Sequence, residues 1–189
     1  MEYRRGIMKV SLAENLRELM VKHLFEKITI KQICDETGVI RATFYNYFDD
    51  KYDCLNWIVY HDFVENNTEL LEEGSFDTLF HNVLKTIDEN RNFYRAAYNN
   101  VTGQNSFEDM VRSQLKDMVL TYFNHHRKEA FLHKYDNEII SRYYAEGIAF
   151  ILKTFVFEKE GRTIDETIDM AKELLSHSFF DYVNDTDKQ

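Results

Sequence analysis

The chain contains no proline in 189 residues and only six glycines. These two residues are the commonest helix breakers, and average proteins contain about 5% proline and 7% glycine. Helices can therefore run for many residues without interruption. Because 44% of the residues are apolar, the chain can also bury a sizeable core. These features predict an all-α protein.

Apolar residues recur at helical spacing along most of the chain. In the first such segment Leu12, Leu16 and Leu19 share one face, whereas Glu14 and Arg17 are predicted on the polar face. The segment 139–156 is apolar nearly all round, so we expect a partner to cover one of its faces. The pattern predicts helices over about 10–24, 29–37, 41–48, 50–71, 76–87, 93–98, 107–123, 139–156 and 164–183.

Two short helices joined by a tight turn are predicted between residues 29 and 48. Thr29, followed by Gln32, matches a capping box at the start of a helix. Gly38 is suited to the left-handed conformation that ends this helix and turns the chain. In the next helix Phe44 and Phe48 share one face and would anchor it to a core. This order of elements is typical of a helix-turn-helix that binds DNA.

The outer face of the second short helix carries side chains suited to base edges and phosphates. Arg41 can bind guanine through two hydrogen bonds, Asn46 can bind adenine, and the Thr43 methyl group can contact thymine. The alternative is that these residues form an ordinary solvated helix face. Residues with charged or hydroxyl groups suited to phosphate oxygens are Lys31, Thr43, Tyr45, Tyr47 and Lys51.

The net charge of −10 is distributed unevenly along the chain. Residues 1–51 hold nine Lys and Arg against eight Asp and Glu, whereas the remainder holds 14 against 25. Attraction to phosphate depends on charges within a Debye length of about 8 Å, and total charge matters less. The acidic total is therefore compatible with a DNA-binding N-terminal segment.

The N-terminal quarter resembles the TetR/AcrR family of regulators. The resemblance rests on Ile28–Ile30, Gly38–Val39, the run Arg41–Phe48, and Lys51. Ile40 departs from the pattern, because many members have a small polar cap there. The pattern Glu89–Tyr94 is also similar to the branch that includes dihydroxyacetone-kinase-type regulators. On the family pattern the DNA-facing positions are Lys31, Arg41, Ala42, Thr43, Tyr45, Asn46, Tyr47 and Lys51.

The resemblance also implies an organisation and a mechanism. It implies a DNA-binding domain over 1–49 and a helical effector-binding and dimerisation domain over 50–189. Homodimerisation would use the last two helices, about 136–158 and 164–183. The DNA-binding domains of the two copies, the heads, would then bind successive major grooves of a near-palindromic double-stranded operator. A small-molecule effector would move the helix predicted at 50–71 and release the operator, as in a repressor, although some relatives in this branch are activators.

Aromatic side chains of the predicted domain 50–189 are candidates for an effector pocket. Aromatic residues at helical spacing are also ordinary core residues, and both interpretations stay open. The candidate pocket residues are Trp57, Tyr60, His61, Tyr94, Tyr98, Tyr122 and Tyr143.

Other classes of function receive less support from the sequence. The histidines His125, His126 and His133 lack the i, i+4 spacing of a helical metal-ligand pair, and Cys34 and Cys54 are expected to be buried free thiols. No catalytic motif occurs, so neither an enzyme nor a cofactor is predicted. With no predicted membrane span, we expect a cytoplasmic protein. The alternatives are a protein-interaction module or co-activator with weak or no independent DNA binding, and an enzyme on a helical scaffold.

Overall fold

The computed structural model describes residues 2–126, 136–158, 161–178 and 181–182, with side chains described from residue 6 onward. Every regular element in these ranges is helical, which confirms the predicted all-α class. Single 3₁₀ turns occupy Phe25–Lys27 and Glu65–Asn67. The α-helices are α1 Glu2–Lys22, α2 Ile30–Thr37, α3 Arg41–Tyr45, α4 Lys51–Phe63, α5 Thr68–Glu73, α6 Phe76–Glu89, α7 Arg91–Asn100, α8 Phe107–His126, α9 Asn137–Phe157 and α10 Ile164–Ser176.

The helices are distributed over two compact units. The first unit consists of Met1–Asn66 and Glu89–Gln114, and the second consists of Asn67–Asp88 and Leu115–Gln189. The first unit therefore contains α1 to α4 together with α7. The domain boundary after residue 49 stays a prediction.

In the first unit, α1 packs against α2, α4 and α7. The predicted apolar stripe is confirmed, because Leu12, Leu16 and Leu19 are buried. Helix α1 begins earlier than predicted, since Glu, Arg, Met and Lys favour a helix even where no apolar stripe marks it. The thiols of Cys34 and Cys54 are free and buried, as expected.

The prediction of one long helix over 50–71 is wrong, because α4 ends at Phe63. A 3₁₀ turn follows, and α5 begins only at Thr68. Asn67 lies at the break with its side chain buried, and its Oδ1 accepts a hydrogen bond of 2.6 Å from Asn82. Asparagine is a weak helix former, and this contact fixes its side chain. Apolar residues continue at helical spacing across the break, whereas the helix itself does not continue.

The last helix is also shorter than the predicted 164–183. It begins as predicted, behind a capping box formed by Thr163 and Glu166, but it ends at Ser176. His177 has extended backbone, and the Ser178 amide donates a hydrogen bond of 2.6 Å to Asp181. This local contact satisfies an amide outside the helix. Phe179 and Val183, which belonged to the predicted stripe, lie outside the described residues.

Candidate nucleic-acid interface

The first helix of the motif begins and ends as predicted. The Gln32 amide donates to Thr29 Oγ1 at 3.2 Å, and the Thr29 amide donates to Gln32 Oε1 at 2.9 Å. Gly38 has φ 71° and ψ 31°, the left-handed conformation that glycine adopts at no steric cost. A capped α2 and a tight turn therefore fix where α3 begins.

Two phenylalanines fasten α3 to the core of the first unit. Phe44 and Phe48 are buried, and their ring centroids lie 5.6 Å apart. The Phe48 ring also contacts Trp57 of α4 at 5.8 Å. These contacts confirm the predicted anchor. The predicted helix 41–48 is too long, because α3 ends at Tyr45. Asn46 therefore lies at the C-cap and not within the helix.

The opposite side of this segment is open to solvent. Arg41, Ala42, Tyr45 and Asn46 are exposed, while Thr43 and Tyr47 are half-buried. Within the described ranges the side chains of Arg41, Asn46 and Tyr47 have no hydrogen-bond partner, so their donors and acceptors are available. The structure thus brings six of the predicted DNA-facing residues together on one short segment.

Lys31 lies on the exposed side of α2. Its ammonium forms an ion pair with Asp35 one turn later. Both side chains are largely exposed, and such surface pairs contribute only about 0–1 kcal/mol. A phosphate can therefore compete for this ammonium.

Lys51 has a structural role that the sequence pattern did not reveal. Its ammonium donates hydrogen bonds to the backbone carbonyls of Phe25 at 2.8 Å, Ile28 at 3.1 Å and Glu26 at 3.3 Å. It also lies 4.5 Å from the centroid of the Phe25 ring. Burial lowers the pKa of Lys51, although the carboxylates of Glu26 and Asp50 oppose this effect. The predicted contact with phosphate stays a prediction, and the ammonium holds the turn between α1 and α2.

We expect Lys51→Met to destabilise the protein by about 1–3 kcal/mol, because carbonyl groups of the turn lose their donor. Urea unfolding at a fixed protein concentration measures this loss. Lys27→Met is the matched control, since Lys27 lies in the same turn and is exposed. Equal unfolding midpoints for the two variants would show that these hydrogen bonds contribute nothing to stability.

Three of the predicted effector residues, Trp57, Tyr60 and His61, lie on α4, and two of them stack on each other. The Trp57 ring stacks on His61 at 4.6 Å, and the Lys9 ammonium lies 4.7 Å from the Trp57 centroid. His61 Nδ1 is 2.7 Å from a carboxylate oxygen of Glu65. Tyr60 is on the exposed side of the helix. These contacts pack the side chains against one another.

Tyr94 belongs to a buried polar network that joins α1, α4 and α7. Its hydroxyl donates to Asp62 Oδ2 at 2.5 Å, and Arg17 donates to both carboxylate oxygens of Asp62 at 3.1 Å. Arg17, Asp62 and Tyr94 are only 6%, 3% and 1% exposed. The guanidinium also lies 4.6 Å from the centroid of the Phe93 ring. The predicted solvent-facing position of Arg17 is therefore wrong.

The electrostatics of this network keep the Arg17 guanidinium charged and the Tyr94 hydroxyl protonated. Burial opposes the charge of Arg17, but the Asp62 carboxylate prevails and raises the pKa of the guanidinium. Burial and Asp62 together raise the pKa of Tyr94 well above its ordinary value. Tyr94 therefore remains a donor to a carboxylate. Its neighbour Tyr98 is half-buried and packs edge-on against Phe107 at 4.9 Å.

The remaining two candidates lie in the second unit. Tyr122 lines a cavity of about 250 Å³, together with three other aromatic side chains, Phe76, Phe123 and Tyr144. The other lining residues, Leu79, Met118, Val119, Ile148 and Leu175, are apolar. Burial raises the pKa of Tyr122. Tyr143 lies on the exposed surface of α9. The seven aromatic candidates therefore fall into separate groups, and their assignment to one effector pocket stays a prediction.

The described residues contain neither a cluster suited to a metal ion nor a helix suited to crossing a membrane. The described parts of the chain contain no cluster of three or more His, Cys, Asp or Glu placed to hold a metal ion. His125 and His126 are exposed at the end of α8, and His133 lies outside the described residues. Among the helices that the structure describes, none is both long and apolar enough to cross a bilayer.

Known regulators are similar to this chain along most of its length. The dhaKLM operon transcriptional activator DhaS of Lactococcus lactis is 25% identical over 166 residues, which cover 87% of this chain and 86% of DhaS. A TetR-family regulator from Syntrophomonas wolfei has a TM-score of 0.64 at 18% identity, with 93% of this chain and 95% of that chain covered. FadR of Thermus thermophilus, a TetR-family repressor solved with lauroyl-CoA, has a TM-score of 0.61 at 18% identity, with coverage of 89% and 93%. At these identities the two structures establish the fold.

Two family models match the chain. The model for bacterial regulatory proteins of the TetR family matches residues 13–58, which include the whole helix-turn-helix. The model for the C-terminal region of transcriptional regulators of this family matches residues 75–177, more than half of the chain. The chain therefore belongs to the TetR family of DNA-binding transcriptional regulators.

Proposed function

We propose that this regulator binds a near-palindromic operator as a homodimer, with α3 of each copy in the major groove. The observation that carries the proposal is the exposed polar side of the α3 segment, held by the buried Phe44 and Phe48. In a helix-turn-helix the second helix contacts base edges, and two-fold related heads lie about 34–36 Å apart along the duplex. In this role the protein would act in the cytoplasm, as a regulator and not as an enzyme.

The residues divide into those that select sequence and those that position the head. Arg41 and Asn46 have free donors and acceptors for base edges, and Ala42 is small enough to let the helix approach the groove. We assign the phosphate contacts to Lys31, Thr43, Tyr45 and Tyr47. Lys51 supports the same surface by holding the turn before α2, and its own contact with phosphate remains part of the proposal.

Arg41→Ala is expected to weaken binding to the selected operator about 5- to 150-fold, since bidentate readout of guanine contributes about 1–3 kcal/mol. Binding to random duplex should weaken much less, because that binding depends mainly on phosphate contacts. Titration of both duplexes at one salt concentration measures the two losses. Tyr47→Phe is the comparison, with a uniform loss expected on both. Equal losses for Arg41→Ala would contradict its assignment to base readout.

The proposed dimer surface is an apolar face of α9 that the single chain leaves open. Ile139, Tyr143 and Phe150 are 63%, 75% and 68% exposed, and their spacing of four and seven places them on one side of the helix. Tyr143, Phe150 and Leu174 also line one groove formed by α9 and α10. Large exposed apolar patches are typical of protein interfaces. This surface falls within the predicted segments 136–158 and 164–183.

The cavity of the second unit supports the proposal of a small-molecule effector. Its volume of about 250 Å³ exceeds the 150 Å³ or so at which an apolar engineered cavity holds benzene. None of its lining side chains is charged, so it favours a neutral, largely apolar molecule. An effector there would influence the head through the chain segments that join the units near residues 66, 88 and 114.

We expect neutral indole to raise the thermal midpoint of the protein and anionic indole-3-acetate to do so much less. A ligand at about 100 times its Kd stabilises the folded state by about 2.7 kcal/mol. A thermal-shift titration with both compounds tests this, with Val119→Trp as the variant that fills the cavity. Equal shifts for both compounds, or for wild type and Val119→Trp, would argue against the cavity as the effector site.

The sign of regulation is a separate part of the proposal. The family pattern predicted a repressor, whereas DhaS, which is similar over most of this chain, is described as an activator. A reporter placed behind the selected operator decides between them. Reporter output that falls when the protein is expressed supports repression, and output that rises supports activation.

A further inference from the structure

Ile40 directly precedes α3, the proposed recognition helix. It is the N-cap of α3, with extended backbone at φ −86° and ψ 157°. Its side chain is 72% exposed, more than that of any other large apolar residue described in the first unit. Arg41 follows it directly. An apolar side chain therefore stands in the open beside the residue assigned to guanine readout.

This isoleucine contributes little to the stability of the helix it begins. Helices α2, α4, α9 and α10 each begin with a Thr or Asp whose side chain accepts a hydrogen bond from a helix amide. Helix α3 has no such side-chain cap, and isoleucine is among the least favoured residues at that position. The side chain is also not part of the core. Neither capping nor burial within the chain accounts for an isoleucine here.

We propose that Ile40 contacts the 5-methyl group of a thymine in the major groove and is a specificity-determining residue of this regulator. The N-terminal residues of a recognition helix are those that reach base edges. Thymine alone among the four bases presents a methyl group in that groove. An isoleucine can make no hydrogen bond with a base edge, but it can bury that methyl group. The inference rests on the proposed binding of operator DNA by α3.

This contact requires a thymine at a defined position of the binding site. Each half-site contains a thymine beside the base pair that Arg41 contacts, and the methyl group of that thymine contributes to affinity through Ile40. Thr43 and Ala42 also carry methyl groups on this segment, so the test must show that Ile40, and neither of these two, contacts the thymine. Replacing deoxythymidine with deoxyuridine removes only the thymine methyl group. Comparing wild type with Ile40→Ala on both duplexes then shows whether Ile40 makes the contact.

The experiment begins with duplexes selected from a random pool by the wild-type protein. Each thymine of the best duplex is then replaced with uracil, one symmetric pair at a time, and Kd is measured for wild type and Ile40→Ala. At one thymine pair the wild type should lose about fourfold per half-site, the value expected for one buried methyl group. Ile40→Ala should bind the thymine and uracil duplexes equally at that position. Leu24→Ala, which truncates another exposed apolar residue of the first unit, should retain the full loss.

A second variant separates base contact from helix stability. Ile40→Ser supplies a side-chain cap, so we expect a thermal midpoint equal to or above that of wild type. It should nevertheless lose the dependence on the thymine methyl group. If uracil lowers the affinity of Ile40→Ala as much as that of wild type, another residue contacts the methyl group and the inference is overturned. The same holds if no thymine replacement affects the wild type. If the wild type selects no duplex at all, the proposed function itself fails, and this inference fails with it.

Discussion

Replacing Arg17 with methionine is expected to lower the free energy of unfolding by about 3–5 kcal/mol, the cost of removing one partner of a buried ion pair. The variant leaves the Asp62 carboxylate buried with Tyr94 as its remaining partner in the network. It also removes the guanidinium that joins α1 to α4. We expect operator binding to weaken as well, because α1 packs against α2 of the helix-turn-helix.

Urea unfolding at a fixed protein concentration measures the effect of Arg17→Met. Lys22→Met is the matched control, because it removes an exposed ion pair with Glu18 from the same helix. Such a pair contributes about 0–1 kcal/mol. The double variant Arg17→Met, Asp62→Leu removes the buried carboxylate together with the guanidinium, so part of the stability should return. A loss below about 1 kcal/mol for Arg17→Met would contradict a structural role for the buried pair.

Phe150→Glu is expected to convert the proposed dimer to monomers and to abolish tight operator binding. Burying a phenylalanine contributes about 1.5–3 kcal/mol, and a symmetric interface contains two copies. The dimer dissociation constant should therefore rise about a hundredfold or more. The added carboxylates would face the same interface from both copies and repel one another.

Sedimentation equilibrium over a range of protein concentrations measures this change. Leu24→Glu is the control, because Leu24 is an exposed apolar residue of the first unit. It should remain dimeric. The assignment of the dimer surface would be contradicted by a Phe150→Glu variant that dimerises like wild type, or by a wild-type protein that is monomeric at micromolar concentration.

Features of the fold that depend on neighbouring residues were predicted well from sequence. The start of α2 depends on Thr29 and Gln32, three residues apart, and its end depends on the left-handed backbone of Gly38. The burial of Phe44 and Phe48 follows from their helical spacing. Each of these signals is local, so it is visible in a short window of sequence.

Features that depend on distant residues were missed. The break after α4 involves Asn67 and its hydrogen bond with Asn82, fifteen residues away. The burial of Arg17 depends on Asp62, 45 residues along the chain. A signal for Arg17 did exist, since it lies between the buried Leu16 and Met20 at the edge of the apolar stripe. Its acidic partner could not be named from that stripe.

The candidate site was only partly predictable for the same reason. The exposed α3 segment follows from a continuous run of residues, and the structure brings that run together as expected. The ammonium of Lys51 instead binds carbonyls more than twenty residues earlier in the chain. Aromatic spacing could not separate Tyr94, which closes a polar network, from Tyr122, which lines a cavity.

The most direct test of DNA binding through α3 is selection of duplexes from a random pool by the purified protein, repeated at two salt concentrations. Operator binding by α3 of both copies predicts enrichment of a near-palindrome whose half-site centres lie about one helical turn, or a multiple of it, apart. It also predicts that affinity falls as salt rises, because bound phosphates release counterions. Failure to enrich any sequence at either salt concentration would contradict it and would favour a protein-interaction module of the same fold.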